Sequence, residues 1–369
     1  MIDKKKLCVI IPTHWSARMG GSQYQAKCLI DILVPMSQFD IYYLTRRQDL
    51  SFRPEEFKII RISGAKGISR YGFFFDYFRL IRLLREINPD VIYQRVGCAY
   101  TGIAAHYTQQ NNCKMIWHIA SDNDVLPFQE QSYLRSIFRR IDKKILEYGI
   151  MHCHRIVAQT NQQAEYLKTH YGRTPTAIIR NFHPLPLESM KKTKPVKIIW
   201  IANFKRLKQP ECFIKLAKDL INIGEKVECI MIGSPAHWAP NWQSSLENQI
   251  NEIENLSYLG PCSIEEVNSI LARAHIFVST SLYEGFANTF IQAWMRKVPV
   301  VSLHCNPDGV FDRHTVGFYS GTYRGMLESV VWLAKNHTLR NEIGEKAQAY
   351  AFEKHSEKNV THLIEILKS

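Results

Sequence analysis

The sequence predicts an α/β protein made of two units, each built on a doubly wound parallel sheet with helices on its faces. Three observations lead to this prediction: apolar runs alternate with helix-like stretches, a polar linker interrupts the chain near its middle, and the alternation then starts again. Alternation at this spacing is typical of βαβ units. The 369 residues also exceed one ordinary core and fit two domains.

The first unit begins with the apolar run 7–12, which has the continuous hydrophobicity of a strand buried on both faces. Lysines precede this run, as in a signal peptide, but it ends at Pro12 and is too short for one. A glycine-containing loop at 17–21 then leads into a helix over 23–33. Further strands are predicted at 40–45, 57–62, 90–94, 114–119 and 155–160.

A polar stretch at 184–195, rich in proline and lysine, is the best linker in the chain. The second unit follows it, with strands predicted at 197–202, 227–233, 275–281 and 298–303 and a helix at 209–223. The final helix, over 339–367, is long enough to leave the second unit and pack against the first. The predicted domains are therefore 1–185 and 186–350, with 351–369 as the returning C-terminal helix.

The positive charge is concentrated in the first unit. Residues 1–185 hold 26 Lys and Arg against 15 Asp and Glu, a net charge of +11 out of +13 for the whole chain. Such an excess in one half suggests an anionic partner: a membrane surface, an acidic glycan or lipid phosphate, or nucleic acid.

No apolar run approaches the roughly 18 residues of a membrane span. Nine cysteines without a C-x-x-C pair fit a reducing cytoplasm.

The stretch 70–87 has the period of an amphipathic helix. Its predicted core face consists of Phe73, Tyr77, Leu80, Leu84 and Ile87. Other residues fall on the outer face, where aromatic and basic side chains mix: Phe75, Phe78, Arg79, Arg82 and Arg85. This mixture is what a helix at a membrane interface needs, and it predicts a membrane or acceptor contact. The alternative is that the two phenylalanines pack under a neighbouring loop.

The segment 279–294 carries the strongest candidate site. Glu284 lies in a loop at the carboxyl end of a strand, where open α/β sheets bind ligands. A helix is predicted to begin near Asn288, a favoured N-cap residue, so that free N–H groups of Thr289 and Phe290 could bind a diphosphate. The alternative is that the segment has only a structural role. Any βα unit has a capped helix, and Glu284 could be a solvated loop acid.

The residues E-G-F-x-N-T-F at 284–290, followed by A-W-x-x-x-V-P-V-V-S, resemble the signature loop of family-4 retaining glycosyltransferases. These enzymes have the GT-B fold, in which two Rossmann-like domains face each other across a cleft. In that family one acid faces the transferred sugar and a second acid, eight residues later, binds the nucleotide ribose. The resemblance assigns the first role to Glu284. Gln292 stands at the second position, where it can still hydrogen-bond ribose but carries no charge, so donor affinity or donor choice is affected. Gly285, Phe286, Asn288 and Thr289 complete the implied donor-binding loop.

Other segments match the same family in order and spacing. Gly20-Gly21 resembles the glycine loop of its first domain, where the backbone approaches the donor phosphate. His118 falls at the family's first-domain histidine near the reacting sugar, with a satisfied core histidine as the alternative. The stretch 258–261, ending in Pro261, resembles the loop that lies against the nucleobase.

The stretch 200–208 resembles the family's diphosphate-binding loop, which usually has an arginine and then a lysine. Lys208 matches the lysine, whereas Asn203 stands where the arginine is usual. Lys205 and Arg206 are the candidates to compensate for the missing charge.

The resemblance implies a retaining transfer of a sugar from a nucleotide diphosphate sugar to a glycan or lipid-linked acceptor, in the synthesis of a cell-surface polysaccharide or glycolipid. Lys208 would stabilise the leaving diphosphate without a metal ion. Front-face attack needs no protein nucleophile, so Glu284 and His118 would orient the sugar. No cofactor is expected beyond the donor, and the expected location is cytoplasmic, at the inner face of the membrane. Asp122-Asn123-Asp124 has the D-x-D form of a metal site, but its context favours a loop or a helix-capping pair.

Two rival hypotheses remain. Asn203 and Gln292 would suit a protein that binds a nucleotide sugar or glycan without turnover, although Glu284 and Lys208 argue against it. The basic first half would suit a nucleic-acid binder, but the sequence contains no recognisable nucleic-acid module, so no nucleic-acid partner is expected.

Overall fold

The computed structural model describes residues 4–63, 71–127, 133–186 and 190–369. The chain divides into two compact units. Unit 1 is Met1–Phe182 together with Glu357–Ser369, and unit 2 is His183–Ser356.

Unit 1 is built on a parallel sheet of seven strands in the order β3-β2-β1-β4-β5-β6-β7. Its elements up to the end of the sheet are β1 Lys5–Ile10, α1 Gly21–Met36, β2 Phe39–Thr45, β3 Lys58–Arg61, a 3₁₀ turn Phe73–Asp76, α2 Tyr77–Ile87, β4 Val91–Arg95, α3 Ala99–Thr108, β5 Lys114–His118, α4 Asp122–Val125, α5 Tyr133–His152, β6 Arg155–Ala158, α6 Asn161–Tyr171 and β7 Ala177–Ile178.

Unit 2 is built on a parallel sheet of six strands in the order β10-β9-β8-β11-β12-β13. Its elements are β8 Val196–Ile201, a 3₁₀ turn Arg206–Lys208, α7 Pro210–Asn222, β9 Val227–Ile232, α8 Pro240–Asn251, β10 Leu256–Tyr258, α9 Ile264–Arg273, β11 Ile276–Ser279, α10 Asn288–Trp294, β12 Val300–Ser302, a 3₁₀ turn Pro307–Gly309, α11 Val310–Arg313, β13 Gly317–Tyr319, α12 Tyr323–Lys335 and α13 His337–Lys354. The last helix of the chain is α14 Lys358–Lys368.

The central strands are buried on both faces, as their apolar runs predict. In β8, Ile198 and Trp200 pack into one hydrophobic core while Ile199 packs into another. Because successive side chains of a strand point to opposite faces, a strand between two helical layers needs apolar residues at every position. The prediction of two α/β units with parallel sheets is confirmed.

The prediction of one continuous helix over 339–367 is wrong, because the chain leaves the helical conformation at His355 (φ −134°, ψ 16°). The carbonyl of His355 accepts the N–H of His183 at 2.9 Å, and its ring lies 4.5 Å from that of Phe286. The break separates α13, in unit 2, from α14, in unit 1. In unit 1, Arg155 donates to the carbonyl of Ile366 at 3.3 Å. The last helix, α14, is thus part of unit 1.

The predicted helix over 70–87 also begins later than expected. Residue 70 lies outside the described residues, Phe73–Asp76 forms the 3₁₀ turn, and α2 starts only at Tyr77. Asp76 is buried and pairs with Arg46 at 2.8 Å, which fixes the turn against the body of unit 1. The helix then buries its predicted core face through Leu80, Leu84 and Ile87.

Candidate functional site

An ion pair stands at the carboxyl end of the unit 2 sheet. Lys208 ends the 3₁₀ turn after β8, and Glu284 lies in the loop between β11 and α10. Their ammonium and carboxylate groups are hydrogen-bonded. The side chains are 18% and 22% exposed, so both charges are largely sheltered but still accessible. Parallel sheets bind their ligands at this edge.

Two residues that the sequence analysis did not single out hold this pair in place. The indole N–H of Trp200 donates to the Thr280 hydroxyl at 2.9 Å, and this hydroxyl donates to the carbonyl of Lys208 at 2.6 Å. Because Trp200 lies in β8 and Thr280 directly follows the neighbouring strand β11, they tie the lysine turn to the loop that leads to Glu284. The sequence did contain a sign of this contact, since a buried tryptophan N–H needs an acceptor.

The backbone directly after Lys208 is strained. Gln209 has φ 46° and ψ 57°, in the left-handed region that residues other than glycine seldom adopt. Such conformations persist only where the surrounding structure enforces them, and they concentrate at functional sites. Here the strained residue leads directly into α7, so the turn keeps Lys208 at the edge of the sheet.

The neighbouring polar residues have other contacts. Asn203 accepts the N–H of Ser234 through Oδ1 at 3.0 Å, which joins the β8–α7 loop to the β9–α8 loop. The guanidinium of Arg206 stacks on the ring of Trp242, 4.4 Å from its centroid, and lies 3.6 Å from Glu211. The third residue, Lys205, is exposed. The cation that reaches Glu284 in the structure is therefore Lys208.

The start of α10 differs from the prediction. The N-cap residue is Ala287, and Asn288 is the first helical residue, with Oδ1 3.0 Å from Nε2 of His183. The N–H of Phe290 donates to the carbonyl of Ala287 at 3.1 Å, so the prediction of a free N–H at Phe290 is wrong. The first turn is tightened in this way because a helix end left without partners is costly. Thr289, in the same turn, is partly exposed.

The rest of the predicted loop is well packed. Phe286 is 4% exposed, with its ring 6.0 Å from that of Trp294, whereas Gly285 is half-buried. Gln292 is 7% exposed and donates to Oδ1 of Asn268 at 3.2 Å, which links α10 to α9. The amide of Gln292 therefore already has one partner within the protein.

The loop that contains Pro261 is fastened to the next loop of the sheet. Pro261 is exposed, and the hydroxyl of the nearby Tyr258 donates to the carbonyl of Gly233 at 2.8 Å. Gly233 has φ 152°, and a Cβ there would lie 1.9 Å from the carbonyl oxygen of Ala202. Only glycine fits this position, so Gly233 permits the close approach of the loop after β9 to the loop after β8.

Two family models match the chain. Residues 20–185 match the model described as Glycosyltransferase Family 4, and residues 195–336 match the model described as Glycosyl transferases group 1. The chain belongs to glycosyltransferase family 4. Both models describe glycosyltransferases.

The similar proteins agree with this assignment. The uncharacterized glycosyltransferase MJ1059 of Methanocaldococcus jannaschii is 22% identical over 248 residues, which are 62% of this chain and 59% of that relative. HepE of Anabaena, solved with UDP and glucose, superposes with a TM-score of 0.75 at 14% identity over 98% of each chain. WaaG, a glycosyltransferase involved in lipopolysaccharide biosynthesis, gives 0.77 at 13% identity over 98% of this chain and 99% of its own. Sucrose-phosphate synthase of Thermosynechococcus elongatus superposes with a TM-score of 0.79 at 13% identity, over 99% of this chain and 98% of its own. The predicted GT-B fold is confirmed.

In unit 1 of this family-4 glycosyltransferase, the predicted glycine pair lies where β1 leads into α1. Gly20 precedes the helix in an extended conformation (φ −148°, ψ 175°), and Gly21 is its first residue. The same loop contains a buried residue that the sequence analysis missed, His14, whose ring lies 3.8 Å from that of Trp15. Burial lowers the pKa of His14 to about 4, so its imidazole is neutral near pH 7. The sequence could have indicated His14, because it shows a histidine next to a tryptophan directly after a buried strand.

His118 is the last residue of β5 and is 1% exposed. Its Nδ1 atom lies 2.8 Å from the Tyr93 hydroxyl and 3.3 Å from Nη1 of Arg95. Burial lowers the pKa of His118 well below its usual value, and Arg95 lowers it further, while a backbone contact from Ile179 acts the other way. The imidazole is therefore neutral at physiological pH.

The D-x-D segment caps a helix, as predicted. Asp124 accepts the N–H groups of Ala120 and Ser121 at 2.8 and 3.2 Å, and Ser121 is the N-cap of α4. Burial raises the pKa of Asp124. Within the described ranges, no three His, Cys, Asp or Glu side chains are grouped in a way that could hold a metal ion.

The predicted membrane segment presents one phenylalanine to solvent and partly packs the other. Phe78 is 84% exposed on α2, and the arginines at positions 79, 82 and 85 are exposed beside it. Phe75 is half-buried, with its ring 4.2 Å from that of Phe74 and 5.7 Å from that of Phe138. In the part of the chain that the structure describes, no helix is both long and apolar enough to cross a bilayer.

Proposed function

We propose that this glycosyltransferase moves a sugar, with retention of configuration, from a nucleotide diphosphate sugar to a glycan or lipid-linked acceptor. The observation that carries the proposal is the Lys208–Glu284 ion pair at the carboxyl end of the unit 2 sheet. A cation for the diphosphate and a carboxylate for the sugar hydroxyls are what such a donor requires at one place. The complexes of HepE with UDP and glucose and with UDP-glucose support a donor of this class.

In the proposed reaction, negative charge grows on the diphosphate as the bond to the sugar breaks. Lys208 stabilises this charge, since a preorganised cation costs no reorganisation during the reaction. Glu284 accepts hydrogen bonds from the sugar hydroxyls, and His118 donates one to the sugar. The leaving phosphate assists deprotonation of the acceptor on the same face, so that no protein nucleophile and no metal ion take part. Gln292 binds the ribose through its amide, and the glycine loop at 20–21 approaches the diphosphate.

The synthesis of a cell-surface polysaccharide or glycolipid is the proposed setting. Its support is the fold shared with WaaG, which is involved in lipopolysaccharide biosynthesis. We place the chain in the cytoplasm, at the inner face of the membrane, where lipid-linked acceptors would be available.

A panel of nucleotide sugars tests the proposed activity. We expect one or a few donors to release free nucleoside diphosphate when the protein and an acceptor lysate are added, because transfer to an acceptor frees it. Nucleotide release is measured by a coupled luminescence assay, with Glu284→Gln as the matched control. If donors bind in calorimetry but release stays at background across the panel, the chain is a non-catalytic nucleotide-sugar binding protein instead. Asn203 and Gln292 are the departures from the family pattern that favour this second function.

We also propose that α2 contacts an anionic membrane surface. Each of Arg79, Arg82 and Arg85 contributes on the order of 1 kcal/mol near such a surface. Phe78, which is 84% exposed, adds apolar area that the bilayer interface can bury. The net charge of +11 on residues 1–185 favours this part of the chain for the contact.

Replacing Phe78 with serine is expected to weaken binding to anionic vesicles by roughly 10- to 100-fold, because burial of a phenylalanine contributes about 1.5–3 kcal/mol. Cosedimentation with phosphatidylglycerol vesicles at low salt measures the effect. Trp238→Ser is the matched control, since Trp238 is 65% exposed but lies in unit 2. Equal losses in both variants, or no binding by the wild-type protein, would rule out this contact. An acidic soluble acceptor would then explain the charge.

A further inference from the structure

His118 belongs to a buried hydrogen-bond network at the carboxyl ends of β4 and β5. Tyr93, Arg95 and His118 are each at most 2% exposed. The Tyr93 hydroxyl and Nη1 of Arg95 both approach the same ring atom of His118, Nδ1, at 2.8 and 3.3 Å. Because bulk water does not reach these groups, the network itself determines where the imidazole holds its proton.

The contact with Arg95 allows only one tautomer. A guanidinium donates hydrogen bonds and cannot accept them, so Nδ1 must be the acceptor. The single proton of the neutral ring then lies on Nε2. A doubly protonated ring would point an Nδ1–H group at Arg95 and add a second positive charge in a buried place. The hydroxyl of Tyr93 alone would not decide the tautomer, since it can donate or accept.

Arg95 is held firmly enough to impose this choice. Its Nη2 atom donates to Oδ1 of Asn181 at 2.7 Å, and Nη1 also donates to the Tyr93 hydroxyl at 3.3 Å. Within the described residues, none of the contacts of Arg95 is a carboxylate. A buried cation without a carboxylate partner is costly.

The backbone beside Arg95 is also held in a fixed conformation. Val96 has φ 80°, a conformation that is a genuine outlier for a β-branched residue. The side-chain amide of Gln94 donates to the carbonyls of Arg95 and Val96 at 3.1 and 2.6 Å. Thr101 in turn donates to Gln94 at 2.8 Å. These hydrogen bonds keep the strained backbone in place, so they fix the end of β4 and the position of Arg95.

We propose that Arg95 is a positioning residue, which holds His118 in the neutral Nε2–H tautomer so that the histidine acts as a hydrogen-bond donor and never as a base. The tautomer follows from unit 1 alone. The contact between the Nε2–H group and a sugar rests on the proposed function. Activity and tautomer can therefore be tested separately.

The tautomer is measured by long-range ¹H–¹⁵N correlation in protein labelled with ¹⁵N-histidine. His118→Gln identifies the signals of His118 among the 14 histidines. In the wild-type protein at pH 7 we expect a protonated Nε2 and an unprotonated Nδ1. A proton on Nδ1, or an imidazolium, would overturn the proposal.

Three variants separate the arginine from a general loss of packing. Arg95→Met removes the obligate donor and should produce a mixture of tautomers, whereas Arg95→Lys keeps a donor and should retain Nε2–H. Tyr93→Phe removes the other contact and should leave the tautomer unchanged, because Arg95 still donates. If Tyr93→Phe mixes the tautomers, or folded Arg95→Met does not, Arg95 has no such role. Thermal unfolding shows whether Arg95→Met is folded, and if it is not, the other two variants and the wild type decide.

The kinetic consequence is tested with the donor found in the panel. Arg95→Met should lower kcat by up to about 100-fold, as expected when a group that contacts the substrate is misplaced. Binding of nucleoside diphosphate, which the proposed function assigns to unit 2, should not change. An unchanged kcat with an altered tautomer would remove His118 from the reaction. If no variant and no wild-type protein transfers sugar, the proposed function fails while the spectra still decide the role of Arg95.

Discussion

Replacing Lys208 with alanine is expected to lower kcat/KM for sugar transfer by about 10²–10³-fold, the usual effect of removing one preorganised group that stabilises a developing oxyanion. The diphosphate would lose its cation, and the carboxylate of Glu284, only 22% exposed, would lose its partner. Binding of nucleoside diphosphate should weaken as well. Steady-state kinetics measure the first effect and calorimetric titration the second.

Two other variants make this result specific to Lys208. Lys218→Ala removes the same charge from an exposed position on α7 and should leave kinetics unchanged. Arg206→Ala distinguishes the two cations of the 3₁₀ turn, because Arg206 contacts Trp242 and Glu211 rather than Glu284. If Arg206→Ala abolishes transfer and Lys208→Ala does not, the diphosphate role belongs to Arg206.

The central strands could be predicted because a strand between two helical layers is apolar at every position. The sequence analysis missed three strands: β7, β10 and β13, which have only two or three residues each. All three lie at sheet edges. An edge strand pairs on one side only and can be very short, so it leaves no periodic pattern in the sequence.

The sequence indicates candidate site residues more readily than their partners. Lys208 and Glu284 could be chosen one by one from motifs, yet they are 76 positions apart, and only the sheet order brings β8 next to β11. Asn203 stands at a position that suggests phosphate binding, but its amide joins two loops through Ser234. Such contacts depend on tertiary packing, which local patterns do not encode.

The N-terminus of α10 shows the same limit at a smaller scale. Asn288 has a side chain that favours the N-cap position. In the structure that side chain contacts His183, a residue 105 positions away, and Ala287 takes the cap position. A distant partner therefore overrides a local preference. The break at His355 has a similar cause, because His355 pairs with His183 and neither glycine nor proline marks the site.

Replacing Asp76 with alanine is expected to destabilise unit 1 by about 3–5 kcal/mol, the usual cost of removing one partner of a buried ion pair. The Arg46 and Asp76 side chains are 6% and 1% exposed, and their charges lie 2.8 Å apart. Tyr100 also donates to Asp76, and burial together with this carboxylate raises the pKa of Tyr100, so its hydroxyl stays protonated. The variant leaves the guanidinium of Arg46 buried without its carboxylate. Urea unfolding followed by circular dichroism measures the loss.

The matched control is an exposed ion pair in the same unit. Asp31 pairs with Lys27 at 2.6 Å, but the two side chains are 54% and 36% exposed. Asp31→Ala should therefore cost less than about 1 kcal/mol, because water screens the charges and replaces the lost contact. Similar losses in Asp31→Ala and Asp76→Ala would mean that burial of the Arg46 pair does not set its contribution. Arg46 also stacks on Phe73, 4.8 Å from its ring centroid, and donates to the carbonyl of Gly72 at 3.0 Å, so the loss should reach the 3₁₀ turn. We therefore expect faster amide exchange over Phe73–Asp76 and weaker vesicle binding, since that turn leads directly into the helix that presents Phe78.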